Sequence, residues 1–140
     1  MLYMGRQNTC PRSNETTKTG KELSALSIAS DIIRGHTDTI ILAHLSRGDS
    51  YGYEINKSIQ KHTQGLYELK EATLYTAFRR LEENGCITSY WGNEKTGARR
   101  RYYSLTSTGQ QTYIALVEEW GNARELIDKL IYLEGKQNGG

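Results

Sequence analysis

Little in this chain favours chemistry. Its two cysteines, Cys10 and Cys86, stand far apart, and no CxxC or Cys/His spacing offers a metal site. The three histidines, His36, His44 and His62, have no carboxylate or cysteine at ligand spacing, so they read as surface or capping residues. Ser46 and Ser50 lack a nearby base, which argues against a hydrolase. No catalytic residue, metal or cofactor is therefore expected, and the chain is not expected to be an enzyme. Long apolar runs are missing too. None approaches the roughly 18–20 residues that span a bilayer, and there is no apolar h-region at the amino terminus. Two scattered thiols and the missing h-region suit a reducing, cytoplasmic and nucleoid-associated setting, with no membrane partner expected. Proline occurs once, at Pro11, so no proline breaks a helix beyond it. Apolar residues make up 36% of the 140 residues, a share that limits the core and favours completion by a second subunit.

Charge is what the chain distributes unevenly. The net charge is only +2. Between Lys61 and Arg101, however, eight Lys/Arg oppose five Asp/Glu, a net of +3, whereas Thr106 to Glu134 holds two against five, a net of −3. The middle can face phosphate, and the carboxy-terminal segment is poorly suited to it.

Periodicity divides the chain into four parts. Residues 1–22 are polar and turn-rich and read as a disordered leader. Residues 23–105 read as a DNA-binding unit. A first helix carries Leu23, Leu26, Ile28, Ile32 and Ile33, and a second follows Gly35, with Thr37 as its expected N-cap. Ser50 is the expected cap of a third, which bears Ile55 and Ile59. A fourth helix, Lys70 to Asn84, turns Leu74, Ala77, Phe78 and Leu81 inward and stops at Asn84-Gly85. Two alternating segments, Cys86–Trp91 and Arg100–Leu105, flank a turn-rich tip and predict a two-stranded hairpin. Residues 106–134 form a long helix capped by Thr106, with a stripe at Tyr113, Leu116, Trp120, Ala123, Ile127 and Leu130. The mean spacing of about 3.5 is that of a coiled-coil seam, so this helix is expected to dimerise. Residues 135–140 read as a flexible tail. The fold class is mostly α with a small two-stranded wing, a winged helix-turn-helix plus a long C-terminal dimerisation helix.

A helix followed by a basic hairpin suits a duplex: the helix enters the major groove and the hairpin lies along the backbone. Arg79 and Arg80 can reach a phosphate or the edge of a guanine, but consecutive residues point about 100° apart, so at most one reads bases. Thr73 and Thr76 suit phosphate or a thymine methyl, and Tyr53 and Tyr75 place hydroxyls near helix starts. Arg99 and Arg101 share one side of the return strand and Arg100 takes the other; with Lys95 they can straddle phosphates. Trp91 reads as a packing residue. An ordinary solvated surface would explain the basic hairpin alone, and the helix before it tips the reading to DNA.

Three stretches, GHTDTIILAHLSRGDSYGYEI, ELKEATLYTAFRRLEENGCITSYWG and GARRRYYSLT, resemble the PadR family of bacterial transcription regulators, over about Ile32 to Leu133. They are most similar to its short-chain, multidrug-binding branch. The resemblance implies a homodimer joined through the last helices, binding a double-stranded DNA operator as a repressor. It also implies a planar aromatic small molecule held between the two copies of Trp120, with Ile32, Gly35, Asp38, Thr39, Val117 and Arg124 at the matching pocket positions. That branch has an aromatic residue where this chain has Val117, and a carboxylate where it has Arg124, a change that works against cationic ligands. Two other readings fit the residues: a winged-helix protein-interaction module, and a constitutive DNA binder in which Trp120 is interface core.

Overall fold

The computed structural model describes residues 30–93 and 99–133. The expected leader, the hairpin tip with Lys95 and the expected tail lie outside them. The chain divides into two units, residues 1–34 and 35–140. In the first, residues 30–34 are helical, Arg34 bonds Asp31 at 2.7 Å, and Ile32 is exposed.

The second unit runs α1 (Thr37–Leu45), α2 (Gly52–His62), α3 (Glu71–Glu83), β1 (Ile87–Trp91), β2 (Arg101–Leu105) and α4 (Ser107–Tyr132). The strands pair antiparallel with Ile87 opposite Leu105 and Trp91 opposite Arg101. The core is built from the predicted apolar faces: Ile41, Leu42 and Leu45 of α1, Ile55 and Ile59 of α2, and Leu74, Ala77, Phe78 and Leu81 of α3, closed by Ile87 and Tyr103 of the hairpin.

Two expected caps move by a residue or more. Thr37 is buried inside the first turn of α1, so His36 takes the N-cap position and its carbonyl accepts from Ile40 N. Ser50 does not cap α2. Its backbone is held extended by pairing with Tyr103 in both directions, at 3.2 and 2.8 Å, while its hydroxyl donates to Glu54 at 2.6 Å. Tyr51 is the N-cap instead. Ser50 thus adds a one-residue third strand to the hairpin. The approach to α3 is pinned by Asn56, whose side-chain amide donates to Leu69 O at 2.7 Å and accepts from Leu69 N at 2.8 Å.

The end of α3 and the start of α4 are stitched together. Gly85 turns with φ +78°, a conformation that penalises any Cβ, and Cys86 N returns to Leu81 O at 2.9 Å, closing the helix. Thr106 caps α4 as expected, accepting from Gly109 N at 2.9 Å, and its hydroxyl donates to Gly85 O at 2.6 Å. Gly109 rests directly on the Cys86 carbonyl; a Cβ there would lie 2.0 Å from that oxygen.

The seam of α4 splits into two parts. Tyr113 and Leu116 pack on the chain's own core. Beyond Trp120 Ala123 is half-buried, but the large apolar side chains Ile127, Leu130 and Ile131 are exposed, Leu130 by 72%. At 26 residues and 1.5 Å per residue the helix is about 40 Å long, more than this small domain can cover.

Gly109→Ala forces a methyl group into backbone rather than into a yielding side chain. It is expected to cost about 1–3 kcal/mol, the usual range for an overpacked site. Thermal unfolding by circular dichroism measures this, and an unchanged midpoint would show that α4 can slide off Cys86 freely.

Candidate nucleic-acid interface

The site is the corner between α3 and the hairpin. Four core residues anchor α3, which leaves Thr76, Arg79 and Arg80 exposed and Thr73 half-buried on its outer side. The hairpin is fastened to α3 by Phe78 and Tyr103, whose rings stack with centroids 3.9 Å apart and 16° between planes. Burial, first of all, raises the Tyr103 phenol above its ordinary pKa. Further out on the same hairpin face, Arg101 donates to Ser89 Oγ at 2.8 Å and lies 3.6 Å from Glu82 of α3, while Ser89 donates to Glu82 at 2.7 Å. This chain of polar contacts braces the hairpin against the helix.

Arg79 and Arg80 behave differently. Arg80 grips Asp38 of α1 through Nη2 and Nε, at 2.5 and 3.2 Å. The hydrogen bond to Asp38 is the main reason its pKa rises. Arg79, one position away, is exposed and has no salt bridge among the described residues.

The three consecutive arginines divide across the pleat as alternation requires. Arg99 and Arg101 approach the Trp91 ring at 5.4 and 5.8 Å, and Arg100 lies over Tyr51 at 5.0 Å on the other side. On that second side Tyr90 stacks on Tyr102 and donates to Asp49 at 2.6 Å. The bond to Asp49 is the leading cause of the raised Tyr90 pKa. Trp91 corrects the expectation of a packing residue: it is 53% exposed, because the core ends at Ile87 and Tyr103.

Tyr53 and Tyr75 flank a groove of about 380 Å³ between α2 and the start of α3, also lined by Lys57 and Lys70. Gly52 makes room there: a Cβ would lie 2.9 Å from the Tyr75 hydroxyl. Neither Lys57 nor Lys70 is among the expected DNA contacts, since exposed lysines on helix edges carry no signal of their own.

The expected ligand positions are only partly gathered. Trp120 is 37% exposed and meets His36 edge-on at 4.7 Å. Val117 and Arg124 lie one turn before and one turn after it, both exposed. Gly35 sits in the turn before α1, and Thr39 is half-buried on α1. Asp38 is committed to Arg80. Ile32 belongs to the first unit. His36, capping α1 against Trp120, is the neighbour the sequence reading missed. Among the described residues no cluster of three or more His, Cys, Asp or Glu could hold a metal, and no helix is long and apolar enough to cross a membrane.

The sequence pattern of the transcriptional regulator PadR-like family matches residues 41–115. A transcriptional regulator from Clostridium thermocellum is similar in structure, with 52% identity and a TM-score of 0.67, covering 73% of this chain and 96% of that one. A PadR family transcription regulator from Clostridium difficile shares 34% identity with a TM-score of 0.59, over 69% and 98%. A protein from Lysinibacillus sphaericus is 44% identical over 108 residues, 77% of this chain and 97% of its own length.

Asp38 and Arg80 are partly exposed, so their coupling in a double-mutant cycle on stability is expected at about 0.5–1 kcal/mol, at the upper end for a surface pair because it is bidentate. It should shrink in 1 M salt. Zero coupling at low salt would mean that the pair does not hold α1 to α3 in solution.

Proposed function

We propose, starting from the fact that this chain belongs to the PadR-like family of transcriptional regulators, that it is a homodimeric repressor binding a palindromic operator in double-stranded DNA. The observation that carries this reading is the basic corner itself: Arg79 exposed on an anchored helix, beside a hairpin that presents Arg99, Arg100 and Arg101. Thr73, Thr76, Tyr53 and Tyr75 supply neutral donors around it, and Lys95 extends the same reading to the hairpin tip. Arg79 is the arginine suited to base edges. Arg80 is suited to hold α1, because reaching DNA would cost it Asp38.

The uncovered stripe of α4 supports a dimer, since exposed Ile127, Leu130 and Ile131 gain by burial against a second copy. Two such helices would set two α3 helices about 34 Å apart, one turn of B-form duplex. A planar aromatic effector between the two copies of Trp120, beside Val117, Arg124 and Thr39, would shift the spacing of the reading heads by its preference for one arrangement. Asp38 is already neutralised by Arg80 and Arg124 adds positive charge, so the pocket has no preference for a cation.

A mobility-shift series with the DNA upstream of the chain's own gene tests the reading. Binding should be saturable and sequence-dependent, and fall steeply with salt. Arg79→Ala is expected to cost about 1–3 kcal/mol on the operator and to relax base preference, whereas Arg80→Ala should act mainly on stability. Equal losses in specificity from both variants would refute the division of labour. For the dimer, Leu130→Glu should yield monomers in sedimentation at concentrations where the wild type is dimeric; dimers of undiminished strength would place the interface elsewhere.

A further inference from the structure

The hairpin face that packs on α3 can be followed outward residue by residue. Ile87 and Tyr103 are buried in the core. Ser89 comes next, bonded to Glu82 and Arg101. Last comes Trp91, paired across the ladder with Arg101. An alternating strand ordinarily turns polar once it leaves the core, yet here the outermost position holds the largest apolar side chain in the hairpin. Among the described residues no other aromatic ring stacks on it. Two guanidiniums lie over its ring, Arg99 at 5.4 Å and Arg101 at 5.8 Å. Such contacts order an arginine by its flat face and leave its edge N–H groups for a partner; Arg101 spends Nη2 on Ser89 and Glu82 and keeps its other N–H groups.

An indole bracketed by two cations matches a partner that offers apolar rings and negative charge at short, regular intervals. The sugar–phosphate backbone of a duplex does both: deoxyribose presents C–H faces, and phosphates flank each sugar. An acidic protein surface supplies the charge without the repeating apolar ring. Position agrees with this choice, because the pad lies on the side of the hairpin turned to α3, and Glu82, its neighbour, follows the exposed Arg79 by one turn. We propose that Trp91, Arg99 and Arg101 form a cation–aromatic pad that docks on the backbone of duplex DNA, the indole against a deoxyribose and the two guanidiniums on the flanking phosphates. Trp91 is then both a contact and the positioning residue for Arg99. This inference rests on the DNA-binding reading above.

The chain has two tryptophans, so 5-fluorotryptophan labelling gives two ¹⁹F signals, assigned by Trp91→Phe. In the labelled wild-type chain, the upstream duplex should move the Trp91 signal and reduce its H₂O/D₂O shift as the ring is covered. An unrelated duplex at low salt should do the same, because the pad reads backbone. Trp91→Leu should weaken binding about fivefold, the scale of one cation–aromatic contact, with the salt slope unchanged because no charge is lost. Trp91→Phe should restore most of that loss. Arg99→Ala should instead lower the slope by about one. A duplex that binds the labelled wild-type chain while the Trp91 solvent shift stays put overturns the pad alone, whatever the variants do to folding. No duplex binding by the wild-type chain at low salt overturns the DNA reading and the pad together.

Discussion

Tyr103 is the point on which the site's geometry turns. Its ring stacks on Phe78 of α3, its backbone pairs with Ser89 on one side and with Ser50 on the other, and Arg101 lies against it at 5.9 Å. One residue therefore fixes the hairpin to the helix before it and to the segment that opens α2. Since interiors are close-packed, such a stack tolerates little displacement without opening a void. The angle between α3 and the hairpin is set by this contact rather than by the two strands themselves, which are too few to be stable alone.

That fixed angle gives the surface arginines their separate roles. Five of them lie within the α3–hairpin region, and a count of charge would treat them alike. Their partners do not. Arg80 is taken up by Asp38, Arg101 by Ser89 and Glu82, and Arg100 lies on Tyr51, while Arg99 rests on an exposed indole. Arg79 has no carboxylate within ion-pair distance among the described residues. An arginine already bonded to a carboxylate must give up that bond to take a phosphate, so its contribution to DNA affinity is discounted by the pair it leaves. In the DNA-binding reading proposed above, interaction strength would therefore be graded across the corner, from Arg79 and Arg99 down to Arg80.

Local patterns made most of the fold legible. The inward faces of α3 and α2, the Asn84-Gly85 stop, the Thr106 cap and both strands follow from periodicity and turn chemistry, and each appears within a residue or two of its expected place. The expected cap of α2 is displaced by a distant partner. Ser50 pairs with Tyr103, more than fifty positions away, and no local preference reports such a partner. The same limit hid the Arg80–Asp38 pair, the Asn56 clamp on Leu69 and the His36–Trp120 contact, all of them non-local. Trp91 was misread for a related reason: a large apolar residue in a strand is ordinarily buried, and only the tertiary position of the hairpin end shows that the core stops short of it.

The same non-local contacts join the two candidate faces. His36 at the start of α1 meets Trp120 of α4, and two residues later Asp38 holds Arg80 of α3. The first turn of α1 thus lies between the helix whose outer stripe is uncovered and the helix that presents Arg79. Neither contact is strong: an edge-on ring pair and a partly exposed ion pair are each worth about 1 kcal/mol or less beyond simple burial. A link of that size changes an equilibrium constant severalfold rather than switching it fully. In the dimer proposed above, a ligand that moved His36 off Trp120 would thus grade operator affinity, and a full switch would require the two α4 helices themselves to repack.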